Sequence, residues 1–118
     1  MTYPLGHHVP GLAVIDGVDV DAVAAAVRGC TGVSALDGGR DGEVASYLPG
    51  RKVPGVQVGE GRVRVQVRSR WGVPAADLAA MITVVLTPLT GTRPVDVLIA
   101  DIDDPPLVTT AAPSGWKR

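Results

Sequence analysis

Between Arg62 and Arg70 the chain alternates strictly: Val63, Val65 and Val67 fall on one side, and Arg62, Arg64, Gln66 and Arg68 on the other. Only a period of two puts all three valines on one side, so the segment predicts a strand with a dry face and a wet one. Gly59-Glu60-Gly61 separates it from the shorter Val56-Gln57-Val58 run. Glycines that tolerate positive φ predict a tight antiparallel turn there, and hence a central hairpin.

The flanking segments follow other periods. Val20, Val23, Ala24 and Val27 recur at helical spacing behind Asp19, a candidate N-cap, with Asp21 in the first turn and Arg28 in the last. Gly29 or Gly32 closes this helix. Val33 to Asp37 and Glu43 to Leu48 read as short strands around the Gly38–Gly42 turn cluster, and Pro49-Gly50 ends the second. Pro54-Gly55 interrupts the first arm of the hairpin, which predicts an edge position or a bulge.

Pro74 suits the first turn of a second helix. There Leu78, Met81, Ile82, Val85, Leu86 and Leu89 make a broad apolar face, opposite Ala76, Ala80, Thr83 and Thr87. Asp77 is its single charge, so the outer strip reads either as covered by another subunit or as small residues bordering water. Gly91 closes the helix. Val95 to Ile102 is the last strand, more apolar than the hairpin, which predicts a place inside the sheet. The sum is a two-layer α+β domain, two helices on one face of a three- to five-stranded, mostly antiparallel sheet. It occupies residues 19–103, between a loose arm over 1–18, with room for a short strand, and a disordered tail over 104–118.

Composition narrows the class. A chain of 118 residues is of single-domain length, and its 46% hydrophobic content contains no Phe, two Trp and two Tyr. The core must therefore be built in thin layers of Val and Ala. One cysteine, Cys30, excludes an internal disulfide framework and suits a reducing compartment. No basic leader precedes the short Leu12–Ile15 run, so secretion is not expected. The apolar stretch from Ala75 to Leu89 is shorter than the ~20 residues of a membrane span and reads as a buried helix.

Net charge is −1, but residues 1–39 carry −3, residues 40–70 carry +4 and residues 71–118 carry −2. An anionic partner would meet the central hairpin. The candidate partner-binding residues are Arg62, Arg64, Arg68 and Arg70, cations about 7 Å apart along one strand face. The competing reading is a solvated face with cross-strand ion pairs, to Asp96 if the last strand lies alongside, each worth under about 1 kcal/mol.

Other motifs carry less. Gly29-Cys30-Thr31-Gly32 matches the GxxG loop of KH domains, but it has no basic residue and leads into Val33-Ser34-Ala35. Tyr47 and Trp71 alone give no stacking platform for single strands. His7, His8 and Cys30 are too few and too scattered for zinc, and Asp101-Ile102-Asp103-Asp104 lacks the glycine and bidentate glutamate of a calcium loop. Cys30 falls at a helix C-terminus, where the dipole disfavours thiolate. Trp116-Lys117-Arg118 could touch a membrane interface, with a frayed terminus as the default. No nucleophile motif or dinucleotide fingerprint is present, so no catalytic residue, metal or cofactor is expected.

Taken in order, Gly32-Val33, Pro54-Gly55-Val56, Val63-Arg64-Val65-Gln66-Val67 with Trp71-Gly72, and Thr90-Gly91 leading to Val95-Asp96-Val97 resemble the alkaline shock protein family, the Gls-type envelope stress-response proteins of Gram-positive bacteria. The resemblance covers about residues 20–103, and Glu43 to Gly55 is similar to the variant in high-GC actinobacterial members. It implies a small cytoplasmic α+β domain without established chemistry that self-associates and is held at the inner face of the membrane by a membrane-protein partner. The expected function is thus a non-enzymatic envelope-stress scaffold, with no nucleic acid and no transmembrane segment. The alternative is a KH-like RNA-binding module using the basic sheet face.

Overall fold

A computed structural model describes residues 13–107. The chain runs β1 (Val14–Ile15), β2 (Val18–Asp19), α1 (Val20–Arg28), β3 (Val33–Leu36), β4 (Ala45–Leu48), β5 (Arg51–Pro54), β6 (Val56–Gly59), β7 (Arg62–Ser69), α2 (Ala75–Thr90) and β8 (Val95–Ile102). Among the described residues this is an α+β fold with no closed barrel. Strand β7 is its axis: β6 and β3 lie end to end along one side, both antiparallel to it, and β8 lies along the other side, parallel to it.

The valine row does what its period requires. Val63, Val65 and Val67 are fully buried and pack with Val23 and Val27 of α1 and Leu78, Ile82 and Leu86 of α2. Both helices therefore cover the valine face, and the arginines are left on the other. Gly59 pairs with Arg62, so the turn is Glu60-Gly61, with φ of 55° and 73°. Positive φ at both central residues gives the twist a two-residue hairpin needs.

Local signals set both helices. Asp19 is the N-cap of α1, its Oδ1 accepting from the Ala22 N–H at 3.0 Å. Helix α2 begins after Pro74, whose fixed φ of −62° suits a helix start, and ends at Gly91, φ 64°. It is rich in β-branched residues, and Thr83, Thr87 and Thr90 each donate a hydroxyl to the carbonyl four residues back. Such a helix depends on packing more than on propensity.

Three expectations change. Strand β8 is not interior: among the described residues it pairs with β7 alone and forms the edge of the sheet. Its apolar content serves the helix-facing row Val95, Val97 and Ile99, which packs against the core. The strand read at 43–48 starts at Ala45 and pairs with β5 in a separate two-stranded ribbon. The ribbon is pinned where Ser46 Oγ donates to Val56 O at 2.6 Å, and where Arg51 grips Asp21 of α1 through its two terminal guanidinium nitrogens. The arm read as ending at residue 18 is folded over its described part, since Ala13 and Val18 are fully buried and β1 and β2 form a small antiparallel pair. Residues 1–12 and 108–118, with His7, His8 and Trp116, lie outside the described residues.

Candidate interaction surface

The arginine row is positioned by β7 and largely answered by β8. Because β8 runs parallel alongside, Asp96 sits opposite Arg64 and within reach of Arg62, whose Nε lies 2.9 Å from Asp96 Oδ2. Beyond a register shift between Val67 and Arg68, Arg68 faces Asp101. It donates through Nη1 to Asp101 Oδ2 at 2.8 Å and through Nε to Asp103 Oδ1 at 2.7 Å. Ser34 of β3 donates to the same Asp103 oxygen at 2.9 Å. The hydrogen bond to Asp103 and then the charge of Asp101 raise the Arg68 pKa. The bonds from Arg68 and then Ser34 hold the Asp103 carboxyl below the usual carboxylate range.

Of the four candidate arginines, two are thus engaged in cross-strand pairs, leaving Arg64 and Arg70 without an ion pair among the described residues. Arg70 lies past the end of β7, where its N–H donates to Gly32 O at 2.8 Å, and it acts on Asp103 only through space. Arg64 lines an open depression of about 290 Å³ at the hairpin tip with Gln57, Val58, Gly59, Glu60 and Arg62. Glu60 brings a carboxylate to that same rim, which works against an anion-specific site.

The remaining sequence candidates are absorbed by the fold. Gly29 to Gly32 joins a helix to a strand and does not project: Gly32 is buried, and a Cβ on it would stand 2.8 Å from Val73 Cγ1. Cys30 is buried at this turn, donates its thiol to Ala26 O, and has its pKa raised by desolvation. Asp101 and Asp103 are taken up by Arg68, and Asp101 Oδ1 also accepts from the Ile102 N–H at 2.8 Å. No groups of three or more His, Cys, Asp or Glu side chains suited to a metal ion occur among the described residues.

What the residue pattern hid is an apolar strip. Met81 and Val85, read from their spacing as part of the buried face, are 40% and 38% exposed, and Val84 beside them is 71% exposed. Helix α2 is the helix that packs on β8. On the opposite side of the sheet Leu98 is 37% exposed.

The direction of the β8 backbone groups follows from the register. Val63 N–H donates to Pro94 O at 2.9 Å, while Val63 is aligned with Val95. In a parallel ladder this turns the N–H and C=O groups of Asp96 and Leu98 toward β7 and those of Val97 and Ile99 outward. Outward groups of an exposed apolar edge are a template for another strand. Among the described residues no helix is long and apolar enough to cross a membrane. Comparison with family models, with curated proteins and with solved structures finds no match to this chain.

Proposed function

We propose that the chain is a non-enzymatic protein-docking domain whose working surface is the β8 edge together with the outer strip of α2. The observation that carries this reading is the edge of β8, unpaired among the described residues, with Val97 and Ile99 presenting backbone groups outward, and with Val84 and Val85 exposed on the helix that packs on that strand. β-Branched residues weaken an exposed helix, so the valines add nothing to α2 as a helix. Their use lies in contact with a second apolar surface.

The residue-level resemblance to the alkaline shock proteins supports the same class of role: a cytoplasmic envelope-stress scaffold that self-associates or docks on a membrane-associated protein. The competing RNA-binding reading loses support because Asp96, Asp101 and Asp103 neutralise half of the arginine row. The test is fluorescence anisotropy with single-stranded RNA at two salt concentrations, run beside sedimentation over a dilution series. The docking reading expects weak RNA binding and concentration-dependent association. Tight binding that falls steeply with salt and is lost in an Arg64→Glu, Arg70→Glu variant would overturn it, because phosphate-driven affinity follows counterion release.

A further inference from the structure

Resting on that reading, we infer that the β8 edge receives an extended, mostly apolar segment of another protein that carries a lysine or arginine where it passes Asp101. The backbone of the edge sets the form of this occupant. Pro94 has no N–H and its carbonyl accepts from Val63 N–H at 2.9 Å, so the edge opens at Val95. From there Val95, Val97 and Ile99 turn both backbone groups outward, roughly 6.6 Å apart, and a second extended backbone is what meets donors and acceptors at that spacing.

The edge also has an end. Between Val67 and Arg68 the register shifts, and Ala100 enters β8 as an extra residue. A bulge of this kind bends a strand and breaks its ladder. Beyond it the Ile102 N–H donates to Asp101 Oδ1 at 2.8 Å and is not offered outward. The usable window is residues 95–99, which suits a short linear segment.

Side chains set the composition of that segment. Val95, Val97 and Ile99 pack against the core on the helix face, and Leu98 on the arginine face is 37% exposed. Residues laid beside them are apolar on both faces. Because Ala100 is extra, Asp101 shares the arginine face with Asp96 and Leu98, aligned with Arg68 as Asp96 is with Arg64. The two carboxylates differ in how well they are answered. Asp96 is gripped by Arg62 through Nε and Nη2, with Arg64, free of ion pairs among the described residues, aligned alongside. At the far end a single guanidinium, Arg68, bonds both Asp101 and Asp103, and Asp104 follows. The Asp101 side chain is 57% exposed, against 35% for Asp96. A cation on the incoming segment therefore belongs beside Asp101. The same requirement sets the segment apart from a second copy. Strand β8 carries two carboxylates and no cation, so self-pairing leaves Asp101 unanswered and yields to such a segment.

The experiment uses the full chain and two fluorescein-labelled peptides, Val-Thr-Val-Leu-Val-Ala-Lys and its reverse, Lys-Ala-Val-Leu-Val-Thr-Val, which bring lysine to Asp101 in a parallel and an antiparallel pairing. Fluorescence anisotropy should show one of them binding, which fixes the direction. Glutamate in place of its lysine should raise the dissociation constant about fivefold, and Asp101→Asn, which keeps the oxygen that Ile102 uses, about twofold. N-methylation of alternate peptide amides should block binding for one of the two possible sets and spare the other, since a strand turns one backbone edge to its neighbour. Peptide should slow exchange of the Val97 and Ile99 amides and leave Asp96 and Leu98 unchanged. Binding that ignores the sign of the peptide charge, or that both methylated sets block equally, overturns the inference. So do Val97 and Ile99 amides already protected in the dilute free chain, because the edge is then filled by the chain itself. If neither peptide binds, this occupant is overturned; the docking reading stands where the Val97 and Ile99 amides still slow as the chain is concentrated, and falls with it where they do not. Salt-sensitive RNA binding, measured separately, removes the docking reading itself.

Discussion

Arg68 donates through Nε to Asp103 Oδ1 at 2.7 Å, tying the end of the central strand to the residue that follows the edge strand. This bond, with that from Ser34, lowers the Asp103 pKa. A folded pKa below the unfolded value means the contribution is present above the ordinary aspartate value of about 3.9 and is lost as pH falls through the folded value. The urea midpoint should therefore drop between about pH 5 and pH 2, and Asp103→Asn should flatten part of that drop. Identical pH profiles for the two proteins would contradict the pairing.

Gly55 and Gly50 separate backbone strain from close packing. Both have positive φ, 85° and 76°, but a Cβ on Gly55 would lie 2.8 Å from Leu36 Cβ and 2.9 Å from Gln66 O, while nothing lies within 4 Å of one on Gly50. Gly50→Ala should cost about 1 kcal/mol for the left-handed backbone alone. Gly55→Ala should cost about 3 kcal/mol or more, since the overlap meets backbone that cannot yield. Chemical denaturation measures both, and equal costs would place the strain elsewhere.

Helix α2 has two apolar sides with different duties. Ile82 is fully buried and Val84 is 71% exposed. Ile82→Ala should lower stability by about 2–5 kcal/mol through a cavity. Val84→Ala should change the stability of the monomer by less than about 0.5 kcal/mol. A large loss at Val84 in dilute protein would mean that the strip is covered from within the chain.

The cap on α1 is the simplest local test. Asp19→Ala removes the acceptor of the Ala22 N–H and should cost about 1 kcal/mol by thermal or chemical unfolding. Asp19→Asn, which keeps a capping oxygen, should recover most of it.

Legibility in the sequence followed the range of the interaction. The valine row, the Asp19 cap and the turn before Arg62 are set by residues a few positions apart, so period and turn chemistry revealed them. Strand order is not local. Nothing in Val95–Ile102 distinguishes a strand covered on both sides from one whose apolar row faces only the helices, and so β8 read as interior. The arginine pairing depends on the same unseen neighbour: Arg68 meets Asp101 only because the register shifts after Val67. Spacing placed Met81 and Val85 on the buried face, because a broad apolar helix does not reveal how much of its width the sheet covers. Val84, the most exposed of the strip, has no distinguishing spacing at all.

Amide hydrogen exchange along β8 tests the central claim most directly. Asp96 and Leu98 amides, turned toward β7, should be protected at every protein concentration, whereas those of Val97 and Ile99 should exchange quickly in dilute solution and slow as the protein is concentrated. Val97 and Ile99 amides that exchange at one unchanging rate across the whole dilution series would contradict it.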